Sequence, residues 1–222
     1  MVHCGVVADG DAVGVGPWAG SPPDDPRLDP QLLAHGDSRN VVDRFRYWRE
    51  EAIREELRRT RCTLEVAIEN WRHDLNIGSI VRTANAMNVE CVHIVGARRW
   101  NRRGAMVTDR YIQIRHQPTV VDLVEWATSR SRTIIGIDTV PAAVPLETYD
   151  FPELSLLLFG SEGSGLSREA ADACEAVLAI GQFGSTRSMN AGAAAAVAIH
   201  SWVRRHRWGQ NPNSLQPVRS DD

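Results

Sequence analysis

Three short segments of the 222-residue chain concentrate the residue types that chemistry uses. The first is Asn76-Ile-Gly-Ser-Ile-Val-Arg82, followed by Thr83 and Ala84. The second is Gly160-Ser-Glu162-Gly163-Ser-Gly165-Leu166-Ser167. The third is Ile180-Gly181-Gln-Phe-Gly184-Ser-Thr-Arg187-Ser188-Met189-Asn190. Glycines packed this densely suit a loop whose backbone passes close to a ligand or another strand of chain, because a Cβ would block the approach. Arg82 supplies a permanent, forked cation, while Asn76, Glu162, Ser188 and Asn190 supply hydrogen bonds that orient a reacting group. Two familiar chemistries are excluded. All 25 basic residues are arginine, so there is no lysine for a Walker-type phosphate loop or a Schiff base. The glycine order in the second segment is G-x-x-G-x-G, the reverse of the dinucleotide fingerprint, and no acid ends the strand that follows it.

Each segment needs an element to hold it. Alternation of Leu64, Val66 and Ile68 with Glu65, Ala67 and Glu69 predicts a strand over 64–69, and Ile77, Ile80, Val81, Ala84 and Met87 predict a helix after it. Further strands are predicted at 91–95, 133–137, 154–159 and 177–180. Helices are predicted at 120–128, from Arg168 behind an N-cap at Ser167, and at 190–205. Strands alternating with helices imply an α/β fold, a parallel sheet flanked by helices. All three segments then follow strands, where open parallel sheets place their ligand sites.

In this order and spacing the segments resemble the signature motifs of the SpoU/TrmH branch of the SPOUT superfamily of RNA methyltransferases. Asn76 and Arg82-Thr83-Ala84 match the first motif; Gly160, Glu162, Gly163, Gly165 and Leu166 match the second; Ile180, Gly184, Ser188 and Asn190 match the third. The resemblance covers residues 64–205. Three positions depart from the pattern: Gly181 stands where the family has Pro, Met189 where it has Leu, and Ala191-Gly192 where it has Val-Ser. The resemblance implies a C-terminal deep trefoil knot, S-adenosyl-L-methionine as cofactor and a homodimer. It also implies methyl transfer to a ribose 2′-hydroxyl of tRNA or rRNA. It assigns catalysis to Asn76, Arg82, Glu162, Ser188 and Asn190, and cofactor binding to Gly160, Gly165, Leu166, Ile180 and Met189. A catalytically silent RNA-binding relative, acting in RNA folding or ribosome assembly, is the alternative.

Charge placement fits an RNA partner. The formal net charge is −3, but residues 1–38 hold six Asp and one Arg, and the last two residues are Asp, so 39–220 carry 24 Arg against 20 acids. Arg98, Arg99, Arg102, Arg103, Arg110 and Arg115 crowd around Trp100 and Tyr111 with one acid, Asp109. Guanidinium groups for phosphates and aromatics for unstacked bases make this the expected RNA surface. The Gly/Pro/Asp-rich residues 1–38 predict a flexible acidic arm. Residues 39–61 predict a helical extension, with its helix over 41–61; 62–208 are the methyltransferase domain and 209–222 a disordered tail. The four cysteines are dispersed, so neither a metal site nor a disulfide framework is expected. With no leader and no spanning segment visible, the expectation is a cytoplasmic protein without membrane contact.

Overall fold

The structure, a computed structural model, describes residues 14–70, 76–161 and 163–209. The chain divides into two compact units, Met1–Thr60 and Arg61–Asp222.

The described part of the first unit holds α1 (Pro30–His35), a 3₁₀ turn at Asp43–Phe45, and α2 (Glu50–Arg59). Residues 14–38 are folded, which corrects the expectation of a flexible arm there. Asp37 is the organiser: its buried carboxylate receives the Arg39 guanidinium (2.9 and 2.7 Å) and the Tyr47 N–H (2.9 Å). Burial pushes that carboxyl up, but these donors outweigh it and hold the group below its ordinary value. The same contacts shorten the helix expected over 41–61. Arg46 donates to the Asp37 and Arg39 carbonyls, Tyr47 is left-handed at φ 63°, and helix begins only at Glu50.

The second unit runs β1 (Glu65–Asn70), α3 (Asn76–Ala86), β2 (Cys91–Gly96), β3 (Gln113–Gln117), α4 (Val120–Ser129), β4 (Thr133–Ile137), β5 (Val144–Pro145), β6 (Ser155–Phe159), α5 (Arg168–Asp172), β7 (Ala176–Ala179) and α6 (Ala191–Trp208). The seven strands form one sheet in the order β3-β2-β1-β6-β4-β7-β5, every neighbouring pair parallel. The period-2 geometry of strands splits the core into two layers. Val66 and Ile68 of β1, with Leu157 and Phe159 of β6, face α3 and α6. Ala67, Leu156 and Leu158 face the opposite way, with Val120 and Leu123 of α4 and Ala170 of α5.

Caps set the helix starts. Thr119 and Asp122 form a reciprocal capping box on α4, Ser167 accepts the Ala170 N–H on α5, and Asn190 accepts from Gly192 and Ala193 on α6. Two strands lie beyond the sequence reading. β3 is a polar edge strand, Gln-Ile-Arg-His-Gln, which overlaps the end of the arginine-rich stretch, and β5 spans two residues. In α6, Trp202 is buried with its indole N–H on the Pro152 carbonyl, while Val197 is 40% exposed. The helix therefore has one core face and one open face.

Candidate functional site

Strands β2 and β3 lie on one side of β1, and β6, β4, β7 and β5 on the other. Chain direction thus diverges between β1 and β6, the kind of switch that opens a crevice at the carboxyl ends of the strands. The first segment follows β1, the second β6 and the third β7. Because all these strands are parallel, the three segments emerge at the same end of the sheet.

A side-chain bond joins two of them directly. Asn190 Nδ2 donates to Asn76 Oδ1 at 2.9 Å, across 114 residues of chain. The other end of the same amide caps α6, its Oδ1 accepting from Gly192 N (2.9 Å) and Ala193 N (3.2 Å). One side chain therefore both starts the last helix and fixes it to the start of α3. The two helices are close enough that a Cβ on Gly192 would lie 2.8 Å from Ser79 Oγ.

The second segment folds back on itself. Ser161 and Gly165 exchange both backbone hydrogen bonds at 3.0 Å. A Cβ on Gly160 would sit 2.0 Å from the Gly165 carbonyl carbon and 2.1 Å from Leu166 N, so only glycine fits. Gly163 and Gly165 have φ of 87° and 68°, left-handed values that glycine adopts without strain. Two carboxylates pin the loop from below: Leu166 N–H donates to Asp138 Oδ2 and Ser167 N–H to Glu69 Oε2, each at 2.8 Å. Ser161 Oγ also donates to the Glu69 carbonyl at 3.2 Å. Glu69 is wholly buried.

The third segment, from Gly181 to Asn190, has no helix or strand and is largely exposed. Its base is held by Gly181 N–H donating to Glu147 Oε1 at 2.7 Å. A proline at 181 could not make that bond, so this departure from the family pattern comes with its own tether.

The expected catalytic residues are distributed accordingly. Asn76 is buried and bonded to Asn190; Ser188 and Asn190 are on the exposed third segment. Arg82 is exposed on α3, six residues from Asn76, a rise of about 9 Å. Side chains on a helix lean toward its N-terminus, and the N-terminus of α3 is at the carboxyl end of the sheet. Glu162 lies outside the described residues. Of the expected cofactor residues, Gly160, Gly165, Ile180 and Met189 fall on the second and third segments. Leu166 turns its side chain away, against Gly136 of β4, and only its backbone faces the loop.

The arginine-rich stretch divides. Asn70 Nδ2 donates to the Ala97 and Arg99 carbonyls (2.7 and 2.8 Å), tying residues 97–99 to the end of β1. The 3₁₀ turn Arg103–Ala105 packs backbone to backbone on α3, where a Cβ on Gly78 would lie 2.8 Å from Ala105 N. Arg98, Arg99, Arg102, Arg103 and Arg110 are exposed around this contact, Arg102 reaching Asp109 at 3.3 Å. Arg115 does not join them. It lies within β3, half-buried, with its guanidinium 4.2 Å from the Trp126 ring centroid.

Sequence reasoning missed Glu69, Asn70, Asp138 and Glu147. Asp138, an acid one residue past a buried strand, was the readable signal; Glu69 was hidden because alternation assigned it to a polar face. Cys174 lies near this carboxylate. Burial, with the Glu69 charge added, pushes its thiol up to about 12, so it is no nucleophile at neutral pH.

A family model described as the SpoU rRNA methylase family matches residues 63–200. The tRNA (guanosine(18)-2′-O)-methyltransferase of Escherichia coli K12 is 27% identical over 158 residues, covering 70% of this chain and 69% of its own. The SpoU methyltransferase AviRb from Streptomyces viridochromogenes superposes with a TM-score of 0.60 at 25% identity. That match covers 66% of this chain and 61% of AviRb, so the chain spans less than two thirds of that enzyme. AviRb has also been solved in complex with AdoMet, with a TM-score of 0.59 at 24% identity over 66% of this chain and 58% of that one. The A. aeolicus TrmH/SpoU tRNA modifying enzyme shares the fold, with a TM-score of 0.63 at 22% identity over 76% of this chain and 88% of that one.

Proposed function

The chain belongs to the SpoU rRNA methylase family, and from that premise we propose that it transfers a methyl group from S-adenosylmethionine to a ribose 2′-hydroxyl of tRNA or rRNA. The observation that carries the proposal is the Asn76–Asn190 bond, which locks the first and third segments together beside the pinned Gly160 loop.

The residues present fit the cofactor. From Gln182 to Met189 the backbone makes no backbone hydrogen bond to another described residue, so its N–H and C=O groups are available to the edge of an adenine. Gly160, Gly165, Ile180 and Met189 would line the cofactor, with Leu166 contributing backbone. When bound, S-adenosylmethionine supplies an electrophilic methyl group on a sulfonium. Arg82 orients the attacking hydroxyl and stabilises the negative charge that develops on its oxygen. It stays protonated throughout, because a guanidinium titrates above about 12; a phosphate of the RNA takes the proton. Asn76 and Asn190 hold the third segment in register, Glu162 orients Arg82 or the adjoining backbone, and Ser188 contacts the substrate. Arg98, Arg99, Arg102, Arg103 and Arg110 bind RNA phosphates, with Arg115 further off on β3. The reading carries with it the C-terminal trefoil knot and a homodimer that uses the open face of α6. It also carries a helical extension over 39–61, the methyltransferase domain over 62–208 and a tail beyond it.

Incubating the protein with labelled S-adenosylmethionine and RNA from a strain lacking the gene tests this directly. Label is expected at 2′-O positions, and Arg82→Ala should lower the rate by at least 100-fold while changing cofactor affinity less than threefold. A protein that binds RNA and cofactor without transfer would establish the silent relative instead.

A further inference from the structure

The third segment carries one large side chain to which neither the fold nor the proposed backbone grip on the cofactor gives a role. Phe183 is 102% exposed, the most exposed large apolar side chain among the described residues. Its Cε2 lies 3.6 Å from where a Cβ on Gly181 would be, over the base of its own loop. A lone surface apolar residue is ordinary, but three features set this one apart. It stands on the loop that joins the reaction's first and third segments through Asn190 and Asn76. The base of that loop is tethered two residues away by the Gly181–Glu147 bond. Arg187 follows on the same exposed stretch, a cation within one loop of the ring.

We infer that Phe183 is the stacking platform for an unpaired purine of the substrate RNA, at or next to the ribose that is methylated. The inference rests on the RNA methyltransferase reading. A phenyl ring offers a flat π face and no hydrogen-bonding group, so it grips a base through stacking without reading its edge. Stacking grows with overlapped area, which favours a purine over a pyrimidine. Arg187 holds the neighbouring phosphate, and the two together place the sugar against the site.

The test uses the full-length protein, with RNA from the deletion strain as methyl acceptor. Phe183→Ala, Phe183→Leu and Phe183→Trp are compared. Base–aromatic stacking lost to alanine corresponds to roughly a 5- to 160-fold fall in kcat/KM for RNA. The leucine variant should fall almost as far, because it keeps apolar bulk without a π face, and the tryptophan variant should stay within threefold of wild type. Cofactor affinity and sedimentation should not change, and mapping should place a purine at or beside the methylated ribose. Wild-type behaviour of the leucine variant, or a shift in oligomeric state on Phe183→Ala, would assign the ring to apolar packing against a second copy and overturn the inference. So would pyrimidines alone at the mapped site. If wild type transfers methyl groups and Phe183→Ala matches it, only the stacking role falls; if wild type transfers none, the methyltransferase reading falls with it.

Discussion

The Gly160 loop allows the tightest test of the site. A Cβ at position 160 would meet Gly165 C at 2.0 Å, Leu166 N at 2.1 Å and Gly165 O at 2.2 Å. Ordinary contact begins at 3.4 Å, so in Gly160→Ala the 165–166 peptide must retreat by about 1.4 Å. All three obstructing atoms are backbone, and no rotamer change can relieve the overlap. A retreat of that size opens the two Ser161–Gly165 hydrogen bonds, worth about 1 kcal/mol each. If the peptide drags its neighbours along, Leu166 N–H leaves Asp138 and Ser167 N–H leaves Glu69. Bonds to carboxylates are worth about 1.5–3 kcal/mol each, and Glu69 would lose a donor in a fully buried position. The cost is therefore about 2 kcal/mol if only the turn opens and about 5 kcal/mol or more if the carboxylates let go.

Two other glycines calibrate this. Gly163→Ala meets no atom within 4 Å but keeps a left-handed φ of 87°, a penalty of about 1–2 kcal/mol. Gly184→Ala meets nothing and has an ordinary φ, so its effect should lie within about 0.5 kcal/mol. Urea denaturation gives the stabilities, and titration calorimetry with S-adenosylmethionine gives the loop's competence to bind. The expected order of damage is 160, then 163, then 184, with cofactor affinity falling at least tenfold in the first. Unchanged stability and unchanged affinity in Gly160→Ala would show that the loop yields freely, and the argument that backbone closure builds the site would be wrong.

Three further outcomes follow from other contacts. Asn190→Asp keeps the acceptor that caps α6 but loses the donor to Asn76, whereas Asn190→Ala loses both. Methyl transfer should fall in both variants, while melting temperature falls mainly in the alanine variant, by about 1 kcal/mol of cap energy. Burial pushes the Glu65 carboxyl up, but donors from His93 and Trp126 and the charge of Arg132 outweigh it and leave it below its ordinary 4.5. That stability is present above pH 4.5 and is lost as pH falls through the lowered folded value, so urea midpoints should drop on the acid side, less steeply in Glu65→Gln. Burial pushes the Cys91 thiol, like that of Cys174, up to about 12, and iodoacetamide at pH 8 should leave both unmodified in the folded protein and alkylate both in urea.

The sequence was most legible where local pattern and burial agree. Leu156–Phe159 is a continuous apolar run because β6 is covered on both faces, and the loops at strand ends announce themselves by glycine. It was least legible where long-range hydrogen bonds decide. The composition of residues 14–38 reads as disorder because it lacks apolar periodicity, yet Asp37 assembles Arg39, Tyr47 and the Arg46 contacts into a fold. β3 escaped because an edge strand is buried only in part, so polar side chains stand where a central strand needs apolar ones. The helical spacing of Val42, Phe45, Trp48 and Ala52 extended α2 backward through Tyr47, where a positive φ interrupts it.

The two carboxylates of β1 show how the same strand serves stability and site. Glu65 and Glu69 are four residues apart, so a strand turns both to the layer that holds α4 and α5. Glu65, at the amino end, accepts from Trp126 of α4 (2.8 Å) and pairs with His93 (2.9 Å), whose other nitrogen accepts from Gln117 (3.0 Å). Arg132 closes the group: Nε lies 3.0 Å from Glu65 as an ion pair without a well-directed hydrogen bond, Nη2 reaches Glu90 at 2.6 Å, and Nη1 donates to the Thr63 carbonyl. A lysine ammonium is a compact point charge and cannot span three acceptors in one plane; the planar fork can. Glu69, at the carboxyl end, faces α5 in the same way but accepts from the Ser167 N–H, at the exit of the Gly160 loop. One end of β1 is thereby braced by charge that never meets substrate, and the other passes that rigidity to the loop that must hold its shape without help from its own glycines. Loss of bracing at Glu65 should therefore weaken the whole unit, and loss at Glu69 the site first.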